Sequence, residues 1–284
     1  YTWGQMTAKL ARFKSDMTLD SASIKDNIVT EKEHHFHEGG FLSKRKGLYY
    51  YVYAHSGREN KPTCIGYATS RSVWGPYRYG GVIIDNKGCD PDVWNNHGSI
   101  VEFNKQWYVF YHRSINGKSL RKACVEPIYF NDDGSISEVE MTSQGAGKPL
   151  DAFKIIDAER ACMLHGKTII KPSGDDNEVI TRICKESRAG FKYIDFGEGA
   201  DSIIVRAKTG TGRGGFNIHL DQPWGRNLGY LHMEPIKDKP GEWQIISNKI
   251  QKVSGVHAVW FNFYLLDGIQ ELDVEIDWFY FVKK

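Results

Sequence analysis

One carboxylic acid stands out from the rest of the chain. Glu38 follows three histidines (His34, His35 and His37) and precedes two glycines, Gly39 and Gly40. A carboxyl group among apolar walls or beside a second carboxylate keeps its proton at working pH and can then act as a general acid. The two glycines lack a Cβ and would let a bound molecule come close to the backbone. The next segment, Leu48-Tyr49-Tyr50-Tyr51-Val52-Tyr53-Ala54, shows no polar alternation and reads as a strand buried on both faces. Glu38 is therefore expected just before a buried strand.

The elements that must hold such a group are strands. Helical periodicity is almost nowhere convincing. Short apolar runs rich in Tyr, Val, Ile and Phe recur, divided by Gly, Asn, Asp and Pro. Gly57-Arg58-Glu59-Asn60, Asn104-Lys105 and Asp132-Asp133-Gly134-Ser135 are turn chemistry between them. Strands at this spacing predict an all-β sandwich, barrel or propeller. Residues 36–84 hold three or four strands around a Trp74-Gly75-Pro76-Tyr77 turn. Residues 97–141 hold four more, at Ser99–Phe103, Trp107–His112, Cys124–Phe130 and Ile136–Met141. A break near Lys148-Pro149-Leu150-Asp151 divides the chain into 1–150 and 151–284, and the second part is again β-rich.

Size and composition narrow the function classes. The 284 residues suggest one large domain or two ordinary ones. A net charge of +2 gives no electrostatic case for nucleic acid or an anionic membrane, and no apolar run reaches transmembrane length. Five widely spaced cysteines, none in a C-x-x-C arrangement, argue against a disulfide framework or a zinc site. The 15 Tyr and 8 Trp suit either β-rich cores or sugar-stacking surfaces. The chain begins at Tyr1 within what reads as a strand, so a processed or truncated piece of a longer protein is expected.

After the Glu38 segment come, in order, Cys64-Ile65-Gly66-Tyr67-Ala68-Thr69-Ser70, Asn95-Asn96-His97-Gly98-Ser99-Ile100-Val101-Glu102 and Trp107-Tyr108-Val109-Phe110-Tyr111-His112-Arg113. The series resembles the second half of the catalytic propeller of glycoside hydrolase family 43. The resemblance implies a partial five-bladed β-propeller over 1–150, with Tyr1–Met17 as the remnant of a preceding blade. It places Glu38 on the family's general acid, His97 on a channel histidine that meets a metal ion or water, and Arg121 on an arginine that contacts substrate hydroxyls. Trp94 would wall the sugar pocket or pack. The half that carries the family's general base is not matched, and Asp16 and Asp20 read as solvated turn residues. A separate N-terminal propeller half is thus an expected partner.

In the second part, Phe196-Gly197-Glu198-Gly199-Ala200, Ile204-Val205-Arg206-Ala207, His219-Leu220-Asp221, Gly241-Glu242-Trp243, Gly255-Val256-His257 and Ile276-Asp277-Trp278-Phe279 stand in order. They resemble a β-sandwich (jelly-roll) module of carbohydrate-binding family 6. That likeness puts Trp243 on one of two sugar-gripping rings, Arg188 where the second ring belongs and Glu275 where an asparagine belongs. Two of three positions depart, which implies an altered or dead cleft. Trp224, Tyr230 and Trp260 offer another face or plain packing. A structural Ca2+ is implied at Glu159 and Asp277. Together the resemblances imply a secreted, inverting glycosidase that releases arabinofuranosyl or xylosyl units from plant cell-wall polysaccharide, with a binding module. The alternative is a non-catalytic binding fragment.

Overall fold

The computed structural model describes residues 1–59, 61–174 and 177–283, so Asn60 of the Gly57–Asn60 turn lies outside the described residues. The chain is nearly all β, as the short alternating and apolar runs require. It forms two compact units. The first comprises residues 1–87, 93–113 and 121–141; the second takes 88–92, 114–120 and everything from Thr142 onward. Among the described residues no helix is long and apolar enough to cross a membrane.

In the first unit, strands Phe36–Arg45, Leu48–His55, Cys64–Ser70 and Arg78–Asp85 form one antiparallel sheet in sequence order. Tyr50 to Ala54 are buried without a break, which is the two-faced burial that their unalternating composition demands. Tyr51, Tyr53, Phe36 and Tyr77 pack edge to face. Ala8, Leu10, Ile28 and Val29 of the N-terminal segment join the same core. Buried hydroxyls find partners, as they must: Tyr53 donates to the His34 carbonyl at 2.5 Å and Tyr50 to that of Gly134 at 2.7 Å. Asp16 is held by Thr18 in a local turn and Asp20 pairs with Arg12.

Ser99–Phe103, Gln106–Ile115 and Leu120–Ile128 make a three-stranded sheet. The expected fourth strand at Ile136–Met141 is reduced to a single bridge between Phe130 and Ile136. The chain leaves this sheet because other partners claim its backbone. Ile136 N–H donates to the Tyr67 hydroxyl at 2.8 Å, and Val139 N–H to the Ile83 carbonyl at 2.8 Å.

The second unit is a sandwich. One sheet runs Leu150–Asp151, Arg188–Asp195, Val256–Leu265, Gly214–Leu220 and Asn227–Met233, with Met163–His165 also on the Arg188 strand. The other runs Ile169–Pro172, Glu178–Thr181, Val274–Val282, Ala200–Thr209 and Trp243–Val253. Strand side chains alternate between faces, so Ile203, Val205 and Ala207 enter the core while Arg206 and Lys208 point away from it. Phe216 stacks on Phe261 at 4.1 Å, and Phe261 meets Phe279 of the opposite sheet edge-on at 4.9 Å. None of the five cysteines is in a disulfide.

Candidate active site and sugar-binding surfaces

Glu38 lies within a strand of its own and not in the approach to one. It is opposite Ala54 of the buried strand and bridged on its other side to Gln5. The ladder is irregular on both sides of it, between Phe36 and Glu38 and between Glu38 and Phe41. Such bulges re-aim side chains beside active sites. The carboxyl is about one-third exposed, open enough to meet a ligand.

The two glycines serve a purpose other than the expected one. A Cβ on Gly39, whose φ is +65°, would stand 2.3 Å from Cδ2 of His97. One on Gly40 would stand 2.2 Å from the Tyr51 hydroxyl. The space beside the backbone is already filled by a histidine ring and a phenol. The glycines therefore admit protein side chains, which corrects the expectation of substrate access.

Around the carboxyl, His97 Nε2 is 3.5 Å from Glu38 Oε1 and His37 Nε2 is 3.9 Å from it. The His97 ring stacks on His112 at 5.8 Å and 24°. Burial depresses the basicity of His97; the Glu38 charge opposes this, while Arg121 and His37 add to it. His112 is pushed down to about 4, by burial first and then by Arg121 and His97. Both rings are therefore neutral at neutral pH. Glu38 thus stands beside His97, and the Arg121 charge acts on the same ring.

Three residues that sequence reasoning passed over help build the site. His112 sits in an apolar strand and reads there as core. Asn86 and Asn96 are fully buried amides. Asn86 donates to the carbonyls of Asn95 (2.9 Å) and His112 (2.8 Å), and Asn96 to that of Thr63 (3.0 Å). They fix the segment that carries Trp94 and His97. Trp94 is 49% exposed, so much of its ring is open.

In the sandwich, Trp243, Lys208 and Glu275 lie side by side across three strands. The half-buried indole of Trp243 carries two cations, Arg206 at 4.2 Å and Lys208 at 5.0 Å from its centre. Each such contact is worth about 0.5–2 kcal/mol, and a sugar seeking that ring must compete with both. Glu275 is ion-paired to Lys208 (2.7 Å) and Lys171 (2.9 Å) and accepts from Ser173 (2.7 Å). Arg188 stands on the other sheet, with its guanidinium on the ring of Trp224 at 4.3 Å. Trp260 is buried, with its ring laid over Gly190.

Burial alone would raise the Glu275 pKa, but its bonds to Lys208, Lys171 and Ser173 prevail and hold it at about 2. A depressed folded value stabilises the protein above the ordinary glutamate range, and that contribution disappears as pH falls from about 4.5 toward 2. Acid unfolding followed by circular dichroism should show a shallower loss over that window in Glu275→Gln. Parallel acid limbs for the two proteins would refute the assignment.

Glu159 is in the single turn Ala158–Arg160 that follows Ile156–Asp157, whose Asp157 pairs with Trp278 beside Asp277. The two expected ligands are thus on neighbouring elements. Asp277 is buried and bonded to the Arg206 guanidinium. Among the described residues no group of three or more His, Cys, Asp or Glu is placed to hold a metal. His97 enters the site as the neighbour of Glu38.

Comparisons with known proteins agree with both units. Residues 1–136 match Glycosyl hydrolases family 43, and residues 157–283 match Carbohydrate binding module (family 6). The chain is therefore a family 43 glycosyl hydrolase domain followed by a family 6 carbohydrate-binding module. A xylosidase/arabinosidase of Thermoclostridium stercorarium is 32% identical over 81% of this chain and 54% of its own length. An arabinoxylan arabinofuranohydrolase of Bacillus subtilis is 28% identical over 90% of this chain and 53% of its own. A crystal structure of a family 43 arabinoxylan arabinofuranohydrolase from Bacillus subtilis, in complex with cellotetraose, aligns with a TM-score of 0.50 and 26% identity. That alignment covers 98% of this chain and 59% of the other. The chain thus spans about half the length of the curated relatives it matches.

Proposed function

We propose that this chain carries the acid half of an inverting glycosidase that removes α-L-arabinofuranosyl or β-D-xylosyl units from arabinoxylan. The observation that carries the reading is Glu38 on its doubly irregular strand, with His97 against the carboxyl and the Arg121 charge acting on that histidine, inside the region that matches family 43. Inversion needs a second carboxylate about 6.5–9.5 Å from the acid to activate water. Glu38 then gives its proton to the glycosidic oxygen, while Arg121 supplies fixed donors to hydroxyls. Trp94, three residues before His97 in the chain, offers a partly open ring.

The base is supplied by further blades, which are the partner this unit expects. Support comes from the uncovered face of the three-stranded sheet. There Val101 is opposite Tyr108, Ser99 is opposite Phe110, and Val101, Phe103 and Phe110 are all exposed. Plant cell-wall substrate and a secreted location follow from the same reading. Hydrolysis of aryl α-L-arabinofuranoside and aryl β-D-xyloside by the propeller completed with those blades, with the anomer of the first product followed by NMR, tests it. Release with retained configuration would sink the mechanism.

We also propose a structural Ca2+ at Glu159 and Asp277. Two carboxylates on adjacent elements support it, with main-chain carbonyls or water as the remaining oxygens that calcium requires. The Arg206 contact to Asp277 would have to yield or be shared. Chelation with EGTA is expected to lower the melting temperature by several degrees, as ligand linkage dictates, and added Ca2+ should restore it. An unchanged melting curve would exclude the ion.

A further inference from the structure

Two short stretches from the first half of the chain, residues 88–92 and 114–120, belong to the sandwich unit. They are fastened there: Leu164 N–H donates to the Gly88 carbonyl at 2.7 Å, and Ile115 is part of the sandwich core. The buried Asp90 ties the two stretches to each other. One of its oxygens accepts from Asp92 N–H at 2.8 Å and the other from Gly117 N–H at 3.2 Å. The Asp92 carboxyl lies against the same turn, since a Cβ on Gly117 would be 3.4 Å from its Oδ2.

These stretches help to line a cavity of about 360 Å³. That is at the small end of the roughly 300–1,000 Å³ typical of ligand sites, and suits a single sugar ring better than a chain. Asp92 and Asn116 line it from the added stretches, Lys167 and Arg182 from the strands beside them, and Pro91 and Ile169 are its apolar part. Register brings the two cations together. Ile169 is opposite Thr181, so Lys167 and Arg182 stand just beyond the same end of the paired strands Ile169–Pro172 and Glu178–Thr181. Arg182 holds φ at +59°, a left-handed backbone that a long side chain seldom adopts. Its ion pair is a weak one, with Nε 4.0 Å from Glu271 Oε1. Among the described residues no acid pairs with Lys167 and no base with Asp92.

We propose that this cavity binds a hexuronate, a sugar ring bearing one carboxylate, presented as an acidic branch of the polysaccharide. The ligand's carboxylate goes to Lys167 and Arg182, cationic donors with no acceptor of their own, and the flat Arg182 fork matches a carboxylate's two oxygens. The ring hydroxyls go to the Asp92 carboxylate, which accepts, and to the Asn116 amide, which both donates and accepts. Pro91 and Ile169 offer apolar surface to the C–H groups of the ring. A ligand with charge at one end and hydroxyls at the other fits this lining better than a neutral sugar or a bare inorganic anion does. The hexuronate is read from the cavity alone; its arrival as a branch of the polysaccharide rests on the proposed function.

The test is calorimetric titration of the full chain, at one ionic strength, with D-glucuronate, D-glucose and inorganic phosphate. Glucose carries a hydroxymethyl group where glucuronate has its carboxylate, and should bind at least about tenfold more weakly. Lys167→Gln and Arg182→Gln should each weaken glucuronate binding about tenfold, the effect of losing one charge-assisted hydrogen bond. Both side chains are exposed, so the variants should fold, and circular dichroism checks this. Equal affinity for glucose and glucuronate, unchanged affinity in both variants, or no glucuronate binding by the wild-type chain would overturn the proposal. Phosphate binding as tightly as glucuronate would overturn it too, by making the cavity a plain anion site. A xylo-oligosaccharide with one glucuronosyl branch separates the two sources of the ligand. It should bind at least as tightly as the free acid and lose that binding in the same variants. Binding of the free acid alone would overturn the branch and leave the hexuronate site in place. The Glu38 assay is a separate readout, so failure here leaves the hydrolase reading intact.

Discussion

With the base-carrying blades present, Glu38→Gln is expected to lower hydrolysis of the proposed arabinoxylan substrate by a factor of about 10²–10⁴, the usual worth of a positioned general acid. Glutamine preserves the side chain's size and can still meet His97 Nε2, which is 3.5 Å from the carboxylate in the native protein. The change therefore removes the proton and little else. The loss should depend on the leaving group. An aryl glycoside whose phenol departs easily needs little protonation and should keep much of its rate, whereas a sugar leaving group should lose nearly all of it. That split separates an acid from a residue that merely shapes the pocket, because a shape defect would slow both substrates alike. Equal losses on the two substrates, or none, would remove Glu38 from the acid role.

The fold was legible wherever one stretch of sequence decides the matter by itself. Leu48–His55 is apolar without alternation, and no exposed position suits it. Ser99–Phe103 was bounded by turn residues and appears with those limits. Ile136–Met141 was not legible, because its backbone partners, Tyr67 and Ile83, lie more than fifty residues away. The site shows the same division. Glu38 could be found from its neighbours, but His112 could not, since a histidine in the run Trp107–Arg113 looks like any core residue until His97 is stacked on it. Arg188 was placed in a cleft with Trp243, whereas the sandwich puts it on the opposite sheet, under Trp224. Sequence order carries strand identity well. It does not say which sheet a strand joins, and that choice decides which side chains share a surface.

Gly39 makes the same point in a form that can be measured. Its sequence context shows that a glycine is wanted, but only the structure shows that the ring of His97 takes the space. Gly39→Ala imposes two costs. At φ +65° an L-residue is disfavoured by roughly 1–2 kcal/mol. The new methyl also meets His97 at 2.3 Å, and the ring cannot simply swing aside, because His112 is stacked on it. We expect a total destabilisation of about 2–4 kcal/mol, the range for a buried clash added to backbone strain. Activity should fall as well, since His97 can no longer keep its place against Glu38. Denaturant unfolding in two backgrounds separates the costs. In His97→Ala the clash is gone, and Gly39→Ala should then cost only the left-handed strain. If the substitution costs as much without the His97 ring as with it, the ring is not what the glycine accommodates, and the packing of His97 against the acid's own strand is wrong.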